Sequence, residues 1–336
     1  MRLLFFSTKS YEQALFTEQL DSSRHSFTFL EPRLTLETVP LVTEAEAVCV
    51  FVNDELNEKV LAELAERGVR LVLLRCAGFN QVDLVAAERL GLQVARVPEY
   101  SPHAVAEHTL ALMLSLNRRT HRAYLRTREF NFNLAGLMGF DLYGKRVGIV
   151  GFGKIGCCVA RIMQGLGCDV RVHDPFAAEP APEGIRFSEL APLLETSDVI
   201  TLHCPLNPDT HHLIDGAAFA QMKPGVMLIN TSRGGLVDAK AAIAALKSGK
   251  LGYLGLDVYE EEADLFFQDL SDRVIPDDVF ARLMTFPNVL ITAHQAFFTR
   301  EAMARIVSTT LANLDGFERG AVPQENLVTA CRRQGS

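Results

Sequence analysis

The sequence predicts an α/β fold built on parallel sheets, and three observations predict it. Short apolar, β-rich runs alternate with helical patterns almost from end to end, the mark of βαβ units. One of those runs passes through Gly151-Phe-Gly153-Lys-Ile-Gly156 into a helix and then into a strand closed by an acid. Composition agrees: of 336 residues, 48% are apolar and 22% charged, the usage of a globular chain long enough for two domains with their own cores.

In the first hundred residues strands are expected near Arg2 to Phe6, Ala47 to Val52, Arg70 to Leu74 and Gln93 to Val97. A helix runs from about Asn57 to Arg67, ended by Gly68. Pro98 to Pro102 stops the fourth strand, with Ser101 a good N-cap and Pro102 suited to the first helical position. Ala106, Leu110, Met113, Leu114 and Leu116 then recur at helical spacing. The basic run Arg118 to Arg128 reads as a solvated helix face, with a subunit contact or an anion site as the alternatives.

After the strand Val147 to Val150 and the glycine turn come a helix from Ile155 to Leu166 and a strand through Val170 and Val172 to Asp174. Further strands lie near Val199 to His203, Val226 to Asn230, Leu254 to Val258 and Val289 to Thr292. The helical tail from Thr299 to Glu318 has no strand after it and is expected to cross back onto the first domain. The dinucleotide domain is thus read as residues 99–295, inserted into a discontinuous substrate domain of residues 1–98 plus 296–336.

Bulk properties exclude several classes of function. A net charge of −8 argues against nucleic acid as a partner, because that work needs a basic face. No stretch reaches the roughly 18 apolar residues of a membrane span. The N-terminal Met1-Arg-Leu-Leu-Phe-Phe-Ser turns polar too early for a secretory signal. A cytoplasmic protein with a small-molecule partner is expected. The 7 cysteines, at 49, 76, 157, 158, 168, 204 and 331, form no CxxC pair, so reduced thiols and no metal are expected. His103, Glu107 and His108 spell HxxxEH, which matches neither HExxH nor HxxEH.

The glycine turn is informative because of its context. Gly151 permits the tight turn, Gly153 lets backbone approach a pyrophosphate, and Gly156 allows close helix packing, while the helix N-terminus offers dipole and N–H groups. Asp174 ends the next strand, where a carboxylate accepts both ribose hydroxyls and repels a 2′-phosphate. NAD is therefore expected rather than NADP.

Three later strand ends carry the reacting groups. The first runs into Asn230-Thr-Ser-Arg233-Gly-Gly235, the second into Asp257-Val-Tyr-Glu-Glu-Glu262, and the third into His294-Gln-Ala-Phe-Phe298. Taken singly, such an Arg is commonly a surface ion-pair partner and such a His a structural residue. Together they bring a cation, an acid and an imidazole to the carboxyl ends of parallel strands, where ligands of open α/β sheets bind. Hydride transfer to a ketone needs all three: a fork to hold a carboxylate and polarise the carbonyl, an imidazolium to protonate the nascent alkoxide, and an acid to orient that ring. Chemistry alone leaves open which of Glu260 to Glu262 is the acid.

These stretches, with Arg75-Cys-Ala-Gly-Phe-Asn, Val97-Pro-Glu-Tyr-Ser-Pro-His and Leu202-His-Cys-Pro-Leu-Asn-Pro, resemble the D-2-hydroxyacid dehydrogenase family over essentially the whole chain. Within it they are most similar to the bacterial fermentative D-lactate dehydrogenases. The resemblance implies a Rossmann domain inserted in a flavodoxin-like substrate domain, an active site in the cleft, and reduction of pyruvate to D-lactate with NADH. It implies Arg233 as the substrate-orienting cation, His294 as the acid/base and Glu262 as its partner. It further implies substrate contacts from the backbone of Ala77 and Gly78, from Tyr100 and from Phe298. For the cofactor it points to Gly151, Gly153, Lys154, Ile155, Gly156, Asp174, Cys204, Pro205, Thr231, Ser232 and Asp257; Asp257 could equally cap the next turn. Family members associate through the nucleotide domain, so a homo-oligomer, dimer or tetramer, is implied. The chain departs from many relatives at Glu99 and His103, which flank Tyr100 and receive no role. A bulkier 2-keto acid, or an NADH-binding corepressor role, remains the alternative. The match through Phe266-Phe267 and Val279-Phe280 to the fermentative enzymes disfavours the corepressor.

Overall fold

The structure, a computed structural model, describes residues 1–19, 24–177, 180–262 and 265–330. It divides into two compact units, Met1–Ser101 with Phe297–Ser336, and Pro102–Ala296.

The first unit is a parallel sheet of β1 (Arg2–Phe5), β2 (Ser26–Phe29), β3 (Ala47–Val50), β4 (Leu71–Leu74) and β5 (Gln93–Arg96), in the order β2-β1-β3-β4-β5. That is the flavodoxin-like order. Every side chain of β3 and β4 is buried because helices cover both faces. The period of two sorts them. Leu4, Val48, Val50, Val72 and Leu74 pack against α2 (Glu58–Glu66) and α3 (Leu84–Arg89). Leu3, Phe5, Cys49, Leu71 and Leu73 pack with Phe16 of α1 (Ser10–Thr17) and with Val307 and Leu314 of the closing helix Arg300–Glu318. Each fully buried Leu contributes about 1.5–3 kcal/mol. The Asn57 side chain caps α2 by accepting from Val60 N. Strand β2 is absent from the sequence reading because it is a half-exposed edge whose residues alternate instead of forming an apolar run.

The second unit opens with α4 (Pro102–Arg118) and α5 (Thr120–Arg128). The basic run is not one helix face: Arg119 takes a left-handed φ of 50° and breaks it, and α5 buries none of its residues. The parallel sheet comprises β6 (Arg146–Val150), β7 (Asp169–His173), β8 (Ile185–Phe187), β9 (Val199–Leu202), β10 (Val226–Asn230), β11 (Leu251–Leu256) and β12 (Val289–Ile291). Its order, β12-β11-β10-β9-β6-β7-β8, is that of the dinucleotide-binding fold with a seventh strand added. One face is covered by α4 and α6 (Lys154–Gly165). The other is covered by α7 (Leu190–Thr196), α8 (Gly216–Gln221), α9 (Ala239–Ser248) and α10 (Asp278–Met284).

Cys49, Cys76, Cys157, Cys158, Cys168 and Cys204 are free thiols; Cys331 lies outside the described residues. Among the described residues no helix is long and apolar enough to cross a membrane.

Candidate active site

The sheet order reverses between β6 and β9, and there the glycine turn leaves β6 while Cys204 and Pro205 follow β9. Gly151 has a φ of +96°, and a Cβ there would fall 2.5 Å from both His203 C and Cys204 N. Gly156 lies so close under the turn that its Cβ would come 2.1 Å from Gly151 O. A Cβ at Gly153 would meet nothing within 4 Å, so the turn keeps an open face. No side chain caps α6, whose first residues are Lys154 and Ile155. An open glycine face before an uncapped helix N-terminus fits a pyrophosphate. Asp174 follows β7 directly, beside this turn, its carboxylate accepting from Phe152 N at 2.7 Å and from Phe176 N at 2.9 Å. The Cys204 thiol is buried, which pushes it up to about 11 and keeps it protonated.

Strands β10, β11 and β12 are neighbours whose last residues stand level, Asn230 opposite Leu256 and Leu256 opposite Ile291. The loops carrying Arg233, Glu262 and His294 therefore leave the same sheet edge. The fully buried Asn230 shapes the first loop: its Nδ2 donates to Arg233 O at 2.8 Å and its Oδ1 accepts from Ser232 N at 3.0 Å. Arg233 Nη1 donates to Ser232 O at 2.7 Å. The Ser232 hydroxyl donates to Cys204 O at 2.8 Å, and the Thr231 hydroxyl meets that of Thr109 at 2.9 Å. Gly234 binds this loop to the next, since a Cβ there would lie 2.1 Å from Tyr259 C and 2.3 Å from Glu260 N.

The second and third loops meet directly. His294 Nδ1 donates to Glu262 Oε1 at 2.7 Å, and Glu262 Oε2 accepts from Tyr259 N at 2.9 Å. An ionised carboxylate only accepts, so the proton sits on Nδ1 and Nε2 is the ring's remaining proton site. His294 has a left-handed φ of 51° and its N–H donates to Asp257 O at 2.7 Å. The Phe267 ring lies 5.8 Å from the imidazole, centroid to centroid.

A set of contacts that the sequence did not signal, joining Asp257, Thr292 and His108, supports this arrangement. The fully buried Asp257 carboxylate accepts from Thr292 Oγ1 at 2.5 Å and from Gln295 N and Ala296 N, each at 2.9 Å. His108 Nε2 lies 3.4 Å from Asp257 Oδ1 and 3.0 Å from Thr292 Oγ1. Asp257 thus holds the turn on which His294 stands. Burial pushes its carboxyl up, but the bonds from His108, Thr292 and Ala296 and the nearby His294 charge outweigh that and hold it below the usual carboxylate range. A group depressed in the folded state stabilises above its unfolded value of about 3.9 and loses that contribution as pH falls through the folded value. Asp257→Asn is therefore expected to cost about 1–3 kcal/mol at pH 7. Urea unfolding at successively lower pH should show that cost shrinking toward the acid transition; a constant gap would dissociate it from the carboxylate's charge.

The remaining expected contacts belong to the first unit. Ala77 O accepts from Arg96 Nη1 at 2.9 Å, and Gly78 O accepts from Cys76 Sγ at 3.2 Å. Tyr100 stacks edgewise on Phe297 with centroids 6.1 Å apart, and Phe298 does so on Tyr11 at 4.7 Å. The segment before Ala77 is anchored by Arg75, fully buried, whose Nε donates to Glu12 Oε1 at 2.9 Å and whose Nη2 donates to Phe6 O at 2.9 Å. Of the three adjacent acids, Glu260 turns away from His294: its Oε1 lies 2.8 Å from His212 Nε2.

Comparison with known proteins points one way. The sequence profile described as "D-isomer specific 2-hydroxyacid dehydrogenase, NAD binding domain" matches residues 110–296. The D-lactate dehydrogenase of Escherichia coli is 51% identical over 329 residues, 98% of this chain and 100% of that protein. The apo structure of D-lactate dehydrogenase from Escherichia coli matches with a TM-score of 0.88 at 48% identity, over 98% of this chain and 100% of that one. D-lactate dehydrogenase from Aquifex aeolicus, complexed with NAD and lactic acid, matches with a TM-score of 0.87 at 32% identity, over 98% and 99% of the two chains.

Proposed function

The chain belongs to the D-isomer-specific 2-hydroxyacid dehydrogenase family and is an NAD-binding oxidoreductase, and on that premise we propose that it reduces pyruvate to D-lactate, reversibly. The observation that carries the reading is the 2.7 Å pair of His294 with Glu262, on loops that leave the sheet edge beside the Arg233 loop. Bound NADH would supply the hydride for the carbonyl carbon. The Arg233 fork holds the substrate carboxylate and polarises the carbonyl. His294 gives a proton to the carbonyl oxygen from Nε2, so that ketone, hydride and proton together balance as the alcohol. Glu262 keeps Nδ1–H engaged and carries the opposing charge. In lactate oxidation the neutral ring takes the same proton back. Ala77, Gly78, Tyr100 and Phe298 belong to the same proposal as further substrate contacts.

Initial rates of NADH oxidation with a panel of 2-keto acids, followed by chiral analysis of the product, test this directly. Pyruvate is expected to give the highest kcat/KM and D-lactate as product. A clear preference for a bulkier keto acid, or no turnover of any, would remove the assignment.

For the cofactor we assign the pyrophosphate to Gly151, Gly153, Lys154, Ile155 and Gly156, the ribose to Asp174, and the remaining contacts to Cys204, Pro205, Thr231, Ser232 and Asp257. Asp174→Ala is expected to narrow the preference for NADH over NADPH, read as the ratio of kcat/KM values, because an acid at this strand end disfavours a 2′-phosphate. An unchanged ratio would take Asp174 off the ribose.

A homo-oligomer associating through the second unit, working in the cytoplasm, completes the proposal. Large apolar side chains stand exposed along the segment that follows the Arg119 break, Phe130 at 83%, Phe132 at 71% and Met138 at 87%. Apolar surface of this kind marks association sites. Light scattering should return a mass of two or four chains, and a mass of one would dismiss the assembly. The free thiols suit a reducing compartment.

A further inference from the structure

Away from the triad, the loop that leaves β9 carries two adjacent histidines aimed at one carboxylate. Glu260 Oε1 lies 2.8 Å from His212 Nε2 and 3.6 Å from His211 Nε2, and the two rings stack with centroids 4.0 Å apart. The three ligand atoms all lie within 4.8 Å of one another. The loop is built to hold this pose. Thr210 Oγ1 donates to Pro205 O at 2.7 Å, Asn207 Oδ1 accepts from Thr210 N at 3.0 Å, and His212 N donates to Gly235 O at 2.8 Å. His212 itself is in the left-handed region, with a φ of 53°.

Two imidazoles stacked this closely repel if both are protonated, and a neutral pair can share one carboxylate. A single divalent ion can replace those shared hydrogen bonds, accepting both Nε2 lone pairs and the carboxylate once the nearly parallel rings swing so that their in-plane lone pairs converge. Zinc bonds of about 2.0–2.2 Å place tetrahedral ligand atoms roughly 3.3–3.6 Å apart. The two Nε2–Oε1 separations, 2.8 and 3.6 Å, bracket that spacing. Two imidazoles with one carboxylate suit zinc and its neighbours in the transition series, not the oxygen-seeking calcium or magnesium. Among the described residues the other cluster of this kind, His25 with Asp315 and Glu318, is already neutralised by the Arg24 guanidinium.

We propose that His211, His212 and Glu260 form a Zn²⁺-class transition-metal site that fastens the loop after β9 to the loop bearing Glu262. Glu260 stands two residues before Glu262, and the Gly234 backbone lies against Glu260 N. A Cβ at Gly235 would lie 3.1 Å from Leu206 and 3.6 Å from the His211 ring. An ion here therefore ties together the loops that follow β9, β10 and β11.

The test is a calorimetric titration of the full, NAD-loaded protein with Zn²⁺, repeated on His211→Asn/His212→Asn and on Glu260→Gln, with melting temperatures measured with and without the metal. Wild type should bind one equivalent more than the double variant, and its melting temperature should rise with Zn²⁺ where the variant's does not. Co²⁺ in the same site should give visible ligand-field bands without thiolate charge transfer, which separates it from binding to the cysteines. Equal stoichiometry in wild type and variants, or cobalt bands that survive the double substitution, would overturn the proposal. The exposed His211→Ala alone supplies the comparison should the double variant not fold.

Discussion

Replacing His294 by Gln is expected to lower kcat for keto acid reduction about 10²–10⁴-fold, the usual worth of a positioned general acid. The loss should fall on kcat more than on the KM for NADH, because the imidazole is asked to move a proton and not to hold the cofactor. The pair with Glu262, 2.7 Å long, fixes which ring nitrogen does this. Reduction needs the protonated ring and oxidation the neutral one, so the wild-type rate should decline toward high pH in the first direction and toward low pH in the second. Parallel pH profiles, or a Gln variant within a few-fold of wild type, would end the acid/base assignment.

Backbone geometry supplies an independent check on the same residue. A non-glycine residue at a φ of 51° costs on the order of 1–3 kcal/mol and persists only where its surroundings over-determine it. Here the surroundings are Asp257 O, which accepts from His294 N, and Glu262, which holds the ring. His294→Gly should thus recover the backbone strain, offsetting part of what is lost with the Glu262 pair, while lowering turnover about as far as the Gln variant does. The strain is stored in the turn that serves the chemistry.

The triad and the glycine turn were legible in the sequence because their signals are local. Gly151 to Gly156 run from the end of a strand into the first turn of a helix, and Arg233, Asp257 and His294 each follow a β-rich run within three residues. The sheet edge they share follows from parallel connection alone. What supports them was not legible, because it is made at long range. Nothing near His108 signals a partner in Asp257, and nothing near Glu12 signals that it will bury its charge against Arg75. The choice among Glu260, Glu261 and Glu262 could not be made from chemistry, since all three are the same residue type in one run. In the structure Glu262 meets His294, while Glu260 turns to His212. Edge strand β2 escaped for the opposite reason: it buries too little to leave an apolar signature.

Arg233→Gln is expected to reduce kcat/KM for the keto acid by about 30-fold to several thousand-fold, the equivalent of roughly 2–5 kcal/mol of a desolvated, charge-assisted pair. The loop itself should stay in place when the side chain changes, because its contacts are made by the backbone. Asn230 Nδ2 bonds the backbone carbonyl of Arg233, not its guanidinium, and Gly234 seats the loop against Tyr259 and Glu260 whatever residue precedes it. The loss should appear as a raised KM for the keto acid together with a lowered kcat, because the fork grips the carboxylate in the ground state and the polarised carbonyl in the transition state. The KM for NADH should be unmoved. Arg233→Lys keeps the charge but not the planar fork, so it should recover only part of the activity. Full recovery by Lys would mean that charge alone suffices, and near-normal kcat/KM for Gln would mean that the substrate carboxylate is held elsewhere.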